Sequence, residues 1–159
     1  MKKIPLSRGH FAIVDDEDYE WLNQWKWYKS PAGYAVRNNA RINGKQKAVF
    51  MHKVILNVPN NLQGDHINHN TLDNRRENLR IATHSQNMMN RKMQINNTSG
   101  FRGVGWKKRD NRWAAYIKVN QKFIHLGHFK EKNEAVKVRD QAALKYHGSF
   151  ASLNERLGE

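Results

Sequence analysis

The feature that most constrains this chain is the run of alternating side chains after Gly100. Trp113, Ala115, Ile117 and Val119 fall on one side of an extended segment, and Arg112, Ala114, Tyr116 and Lys118 on the other. Ile124 and Leu126 oppose Phe123 and His125 in the same way. Segments 101–107, 112–119 and 122–129 therefore read as three antiparallel strands, with Asp110-Asn111 and Asn120-Gln121 at the turns. A helix follows from Asn133, a plausible N-cap, to His147, with Gly148 just past its end. Ala135, Ala142 and Ala143 let that helix approach one sheet face closely. The other face stays basic and aromatic.

The chain before Gly100 is less regular. Residues 4–14 read as a short strand pair turning at Arg8-Gly9-His10. The acidic run Asp15-Asp16-Glu17-Asp18 suits a helix N-terminus. A short helix is expected from Asp16 to Trp25, with Trp21 and Trp25 in the core rather than serving as base-stacking platforms. Residues 34–37 and 46–56 alternate like strands, with Asn43-Gly44 as a hairpin signal between them. Residues 64–90 are dense in Asp, His and Asn, and 93–99 read as a linker. The expected organisation is N-terminal strands and a short helix over 1–50, a module over 51–92, the linker, and the sheet-and-helix domain over 100–155. No internal repeat appears.

Composition narrows the function classes. The 159 residues carry 28 Lys+Arg against 14 Asp+Glu, a formal charge of +14, and no cysteine. Disulfides, cysteine-based zinc sites and thiol nucleophiles are excluded. No apolar run approaches the ~20 residues that cross a bilayer, and no apolar stretch follows the basic start Met-Lys-Lys-Ile-Pro. A cytoplasmic protein, in a bacterial or phage-infected cell, is expected. The basic excess rises from four over residues 1–50 to seven over 93–159. Five Trp, five Tyr and six Phe accompany it, which separates this chain from a disordered basic tail. Nucleic acid is the natural partner, because each Lys or Arg near a phosphate releases condensed counterions.

Chemistry concentrates between residues 65 and 87. Asp65-His66-Ile67-Asn68-His69-Asn70 is followed by Asn74, Asn78, His84 and Asn87. An imidazole near neutral pKa can take a proton from water. A hard divalent ion accepts a carboxylate and an amide oxygen while keeping several waters. Asn and Asp are also common in turns, where they bond their own backbone, so order and spacing decide.

Met51-His52-Lys53, Gly64-Asp65-His66-Ile67-Asn68, Leu72-Asp73-Asn74-Arg75-Arg76-Glu77-Asn78-Leu79-Arg80 and Thr83-His84-Ser85-Gln86-Asn87 closely resemble HNH homing endonucleases of phages and bacteria. The resemblance implies a ββα-metal (His-Me finger) module. It makes Asp65 a ligand of a Mg²⁺ or Mn²⁺ ion and His66 the general base. Asn78, twelve residues after His66, would hold the loop and orient that base, and Asn87 would supply a second ligand from a helix over 85–91. Some members use His as the final ligand, and His84 lies nearby. His52 and His69 are left to phosphate contact or structure, with structure favoured for His52.

A second resemblance covers 100–155. Phe101-Arg102-Gly103-Val104, Trp113-Ala114-Ala115-Tyr116-Ile117, His125-Leu126-Gly127-His128-Phe129, Ala142-Ala143 and the run from His147 to Asn154 look like the plant Apetala2/ethylene-response-factor domain. That family lays its sheet in the DNA major groove. By position, Arg102, Gly103, Lys107, Tyr116, Lys118 and His125 fall where family residues meet DNA, and Arg109 and Arg112 add charge at the sheet tip. Gly105, Tyr116 and His125 depart from the plant pattern, so its target sequence does not transfer. The expectation is an α+β metal-dependent endonuclease on double-stranded DNA, monomer or homodimer, that nicks or cuts. The alternative is a non-catalytic DNA-binding regulator with a degenerate nuclease module.

Overall fold

The computed structural model describes residues 1–41, 43–91, 93 and 96–154. Gln94 and Ile95 of the expected linker, and Glu155 at the end of the expected C-terminal domain, lie outside them. The chain divides into two units, Met1–His84 and Ser85–Glu159. Helices and small antiparallel sheets occur in separate stretches, an α+β arrangement. No helix among the described residues is long and apolar enough to cross a membrane.

In the first unit β1 (Lys2–Pro5) pairs antiparallel with β2 (Phe11–Val14), joined by a tight turn at Ser7–Gly9 where Arg8 and Gly9 take φ of 61° and 73°. Helix α1 (Asp16–Leu22) stops short of the expected Trp25. The cause is a local side-chain contact: the Trp27 indole Nε1 donates to the Leu22 carbonyl at 2.8 Å, taking an acceptor that a longer helix would use. Trp27 is buried and Trp21 packs against the core, whereas Trp25 stays 38% exposed.

Strands β3 (Tyr28–Lys29), β4 (Ala35–Asn38) and β5 (Ala48–Phe50) form one antiparallel sheet in that order. At the β4–β5 turn, Asn43 and Gly44 both take positive φ, 51° and 73°, as the Asn-Gly signal requires. The expected strand over 46–56 is corrected: β5 ends at Phe50 and α2 (Met51–Ile55) begins. Met51 and Ile55 would share a face in either geometry, but burying His52 beside them needs a helical turn. Next come β6 (Gln63–His66) and β7 (Leu79–Ala82), antiparallel with Asp65 opposite Arg80, and then α3 (His84–Met89). Ile4, Leu6, Val14, Leu22, Trp27, Met51, Ile55 and Leu79 make the core.

In the second unit β8 (Val104–Lys107), β9 (Arg112–Val119) and β10 (Lys122–Phe129) form an antiparallel sheet with β9 central. Helix α4 (Lys132–His147) starts after Glu131, so Asn133 lies in its first turn rather than capping it. Gly148 ends it at φ 54°, its N–H returning to the Leu144 carbonyl. Val104, Ala115, Ala135 and Val136 form one core cluster, and Ile117, Ala142 and Ala143 another. Asn154 fastens the tail: its N–H and Nδ2 donate to Asp140 at 2.7 and 3.0 Å, and its Oδ1 accepts from the Arg102 N–H at 2.7 Å.

Candidate active site

Strand β6 ends on Asp65 and His66, both buried. Arg80, directly across the strand pair, donates Nε and Nη2 to Asp65 Oδ2 at 2.8 and 2.7 Å. The guanidinium fixes the carboxylate's orientation at the strand end.

The His66 ring lies at the centre of an aromatic group. Its centroid is 4.9 Å from that of His52, edge to face, and 5.8 Å from that of Tyr34. Tyr34 and Phe50 also pack on His52, at 5.4 and 5.6 Å. His52 sits so tightly on β6 that a Cβ at Gly64 would come within 2.4 Å of its Cδ2. Burial pushes the His52 pKa down to about 3, so this imidazole is neutral at pH 7, and its Nδ1 is buried without a hydrogen-bond partner. The structural reading of His52 gains support from that packing.

His66 Nε2 lies 3.4 Å from Asn74 Oδ1. Burial, the largest influence, lowers the His66 pKa below 6.5, while the Asn74 hydrogen bond and the Asp65 and Asp73 charges oppose it. The ring is thus mainly neutral at pH 7. With Nε2 as donor to the amide oxygen, Nδ1 is the basic nitrogen.

The loop between β6 and β7 accounts for most of the Asn and Asp density. Asn78 Oδ1 accepts from the Asn68 N–H at 3.0 Å, and its Nδ2 donates to the Asp73 carbonyl at 2.7 Å. Asn68 Oδ1 accepts from the Asn70 N–H and Asn70 Oδ1 from the Leu72 N–H, both Asx turns. Asp73 takes Arg75 Nε and Nη2, each at 2.8 Å, which holds its carboxyl below the usual range. The loop docks on β2, where Ile13 N–H donates to the Leu72 carbonyl and Asn74 N–H to the Ile13 carbonyl. Asn78 therefore braces the loop, while the amide that faces the His66 ring belongs to Asn74. Sequence reasoning placed Asn74 in the cluster without a role, and it missed Arg80 and Tyr34. Only strand pairing and ring packing identify those two.

His69 takes φ 63° in this loop. His84, the first residue of α3, has Nδ1 3.2 Å from Gln63 Nε2. Asn87 is half-buried on the same helix three residues later, within the second unit. Among the described residues no three His, Cys, Asp or Glu side chains gather to hold a metal. A buried carboxylate with amide oxygens, in a chain lacking cysteine, is nonetheless the donor chemistry a hard, partly hydrated ion accepts.

In the second unit Lys107, Arg112, Lys118 and His125 are exposed. Lys107 Nζ stands 5.3 Å from the Tyr116 ring centroid, and the Tyr116 and His125 rings are 5.0 Å apart. Arg109 is 93% exposed and pairs with Asp110 at 3.0 Å. Gly103 takes φ 68°, and a Cβ there would meet the Tyr116 carbonyl oxygen at 2.4 Å. Its place in the pattern is structural. Arg102 is half-buried, with Nη2 directed at the Arg91 carbonyl.

The chain is similar to known proteins over this stretch and beyond it. An HNH endonuclease family profile matches residues 57–89, the span holding Asp65, His66, Asn78 and Asn87. The chain is 28% identical over 151 residues to "Uncharacterized HNH endonuclease L560" of Acanthamoeba polyphaga mimivirus, covering 94% of this chain and 77% of that protein. It is 31% identical over 94 residues to "Protein 3.8" of Escherichia phage T7, covering 59% of this chain and 77% of the phage protein. It is also 34% identical over 62 residues to "APETALA2-like protein 2" of Oryza sativa subsp. indica, covering 39% of this chain and 14% of the plant protein.

Proposed function

The chain belongs to the HNH endonuclease family, and from that premise we propose that it is a metal-dependent, homing-type endonuclease that binds duplex DNA and hydrolyses its phosphodiester bonds. The observation that carries the reading is the end of β6, where a buried neutral imidazole with its Nε2 at an amide oxygen adjoins a carboxylate locked by Arg80.

With Asn74 Oδ1 as acceptor for His66 Nε2–H, Nδ1 is the basic nitrogen that would meet the attacking water. His66 Nδ1 removes a proton from that water as it attacks phosphorus in line. The P–O3′ bond breaks as the new P–O bond forms. The products carry 5′-phosphate and 3′-hydroxyl ends, as the family resemblance implies. Asp65 and Asn87 would hold a Mg²⁺ or Mn²⁺ ion, which supplies charge neutralisation at the scissile phosphate and the departing oxygen. Arg80 keeps Asp65 oriented, and Asn78 keeps the loop beyond the base rigid. One copy carries one such site, so a monomer nicks and a homodimer would cut both strands.

The second unit supplies DNA affinity in this reading. Lys107, Arg109, Arg112, Tyr116, Lys118 and His125 would face the groove and its phosphates, with Gly103 and Arg102 shaping the sheet beneath them. A plasmid-nicking assay with Mg²⁺, Mn²⁺ or EDTA tests the proposal. Wild type should nick only with a divalent ion, and His66→Ala should lose at least about a hundredfold in rate while keeping its DNA affinity. Metal-independent nicking, or full activity in His66→Ala, would refute it.

A further inference from the structure

Charge is partitioned sharply within the first unit. Between Glu20 and Asp65 there is no acidic residue, yet Lys26, Lys29, Arg37, Arg41, Lys45, Lys47 and Lys53 lie there. The acids on either side are committed to other cations. Asp16 holds the N-terminal amine, Glu20 holds Lys2, Glu17 and Asp18 hold Arg76, Asp65 holds Arg80, and Asp73 and Glu77 hold Arg75. Asp15 accepts from the Arg76 N–H. The ion pairs of these acids run to cations outside the acid-free stretch.

Five of these seven, Lys29, Arg37, Arg41, Lys45 and Lys47, lie on the sheet β3–β4–β5 and its long turn. Arg41, Lys45 and Lys47 are exposed around the Asn43-Gly44 tip. The turn is closed at its base by Asn39 N–H to the Lys47 carbonyl and Lys47 N–H to Asn39 Oδ1, at 3.1 and 2.8 Å. Arg37, on β4, lies 4.5 Å from the Trp25 ring centroid. The opposite end of this hairpin is part of the site: Tyr34 precedes β4, Phe50 ends β5, and both rings pack on His52 beside His66. A basic hairpin therefore runs outward from the candidate base.

We propose that this hairpin is a second duplex-DNA contact surface, carried by the nuclease unit itself, in which Arg41, Lys45 and Lys47 grip backbone phosphates away from the scissile bond. The proposal rests on the DNA-nuclease reading. The five residue steps from Tyr34 to Asn39 span about 17 Å as strand. At about 3.4 Å per base pair, the turn meets phosphates roughly five or more base pairs from the cut. The charge acts on the backbone, so the grip is independent of sequence and adds to the second unit's binding.

The test uses full-length His66→Ala protein in EDTA buffer, with a labelled duplex oligonucleotide, across a salt series. Adding Arg41→Gln, Lys45→Gln and Lys47→Gln should weaken binding roughly tenfold and flatten the log–log salt slope by about 2–3. A control with the same charge change on α4 and the segment before it, Lys130→Gln, Lys137→Gln and Lys145→Gln, should lose less than about threefold. Unchanged affinity and slope in the hairpin variant, or an equal loss in the control, would overturn the proposal. So would structured RNA competing as well as duplex DNA. Binding is read without cleavage, so an inactive wild type would sink the nuclease reading while leaving this measurement intact.

Discussion

In the proposed mechanism His66 and Asn74 act as one pair, and their chemistry predicts a pH profile. Burial lowers the His66 pKa below 6.5, so the base form persists to lower pH than for a solvated imidazole. The single-turnover nicking rate should stay flat from neutral pH down past 6.5 and then fall. Asn74→Ala removes an interaction that raises this pKa, so the acid limb should move to lower pH while the plateau drops about tenfold from lost orientation. An acid limb that moves up would break the assignment. His52 carries a stability prediction instead. Its folded pKa of about 3 lies below the ordinary 6.5, so the unfolded chain binds a proton the folded chain refuses. Stability is full above 6.5 and falls as pH drops toward 3, at up to about 1.4 kcal/mol per pH unit. Urea melts near neutral and mildly acidic pH should show His52→Phe losing most of that slope. At this scale the residue types were legible before folding and the pairings were not. Asp65, His66 and Asn78 stand out in the sequence, but that Asn74 rather than Asn78 meets the ring depends on where a loop docks on β2.

Elements behave as their patterns dictate except where a distant residue intervenes. The acidic run at 15–18 reads as a helix-dipole device, and α1 does begin there. The fold adds a second use: Arg76 Nε and Nη2 reach Asp18 at 2.9 and 2.7 Å across 58 residues of chain. Asp18 is buried, so Arg76→Ala would leave its carboxylate with the Trp21 indole as its remaining side-chain donor. The loss should be about 2–3 kcal/mol, because removing one partner strands a desolvated charge, and chemical denaturation measures it. In the second unit Gly103→Ala combines left-handed backbone with a Cβ driven at the Tyr116 carbonyl. It should cost about 1–3 kcal/mol and weaken DNA binding by distorting the sheet, read by melting and anisotropy. The 112–119 and 122–129 strands match expectation to the residue: alternation from 112 to 119 and from 122 to 126 sets one register with the apolar set inward, and a register shift between His125 and Gly127 carries the second strand on to Phe129. The 46–56 run fails the same test, since its apolar spacing fits both periods until His52 is buried.

At the scale of the whole molecule, the sheet β8–β9–β10 should serve affinity rather than chemistry. Lys118→Ala should weaken duplex binding and reduce the salt slope by about 1, with nicking at saturating enzyme little changed. A kcat effect as large as its affinity effect would show that this sheet takes part in chemistry. A charge of +14 and an absence of cysteine already direct the chain to a polyanion and away from thiol chemistry. Periodicity set the C-terminal sheet and helix, and the order of Asp, His and Asn between 65 and 87 marked the candidate site, because both depend on local spacing that any folded form must respect. The tertiary structure alone decided which amide faces the base, that Arg80 locks Asp65, that Trp27 ends α1, and that the acids of the first unit are consumed elsewhere so its hairpin stays positive. Those outcomes depend on which loop docks on which strand and which side chain turns inward, and such contacts arise from packing, which one-dimensional spacing does not encode.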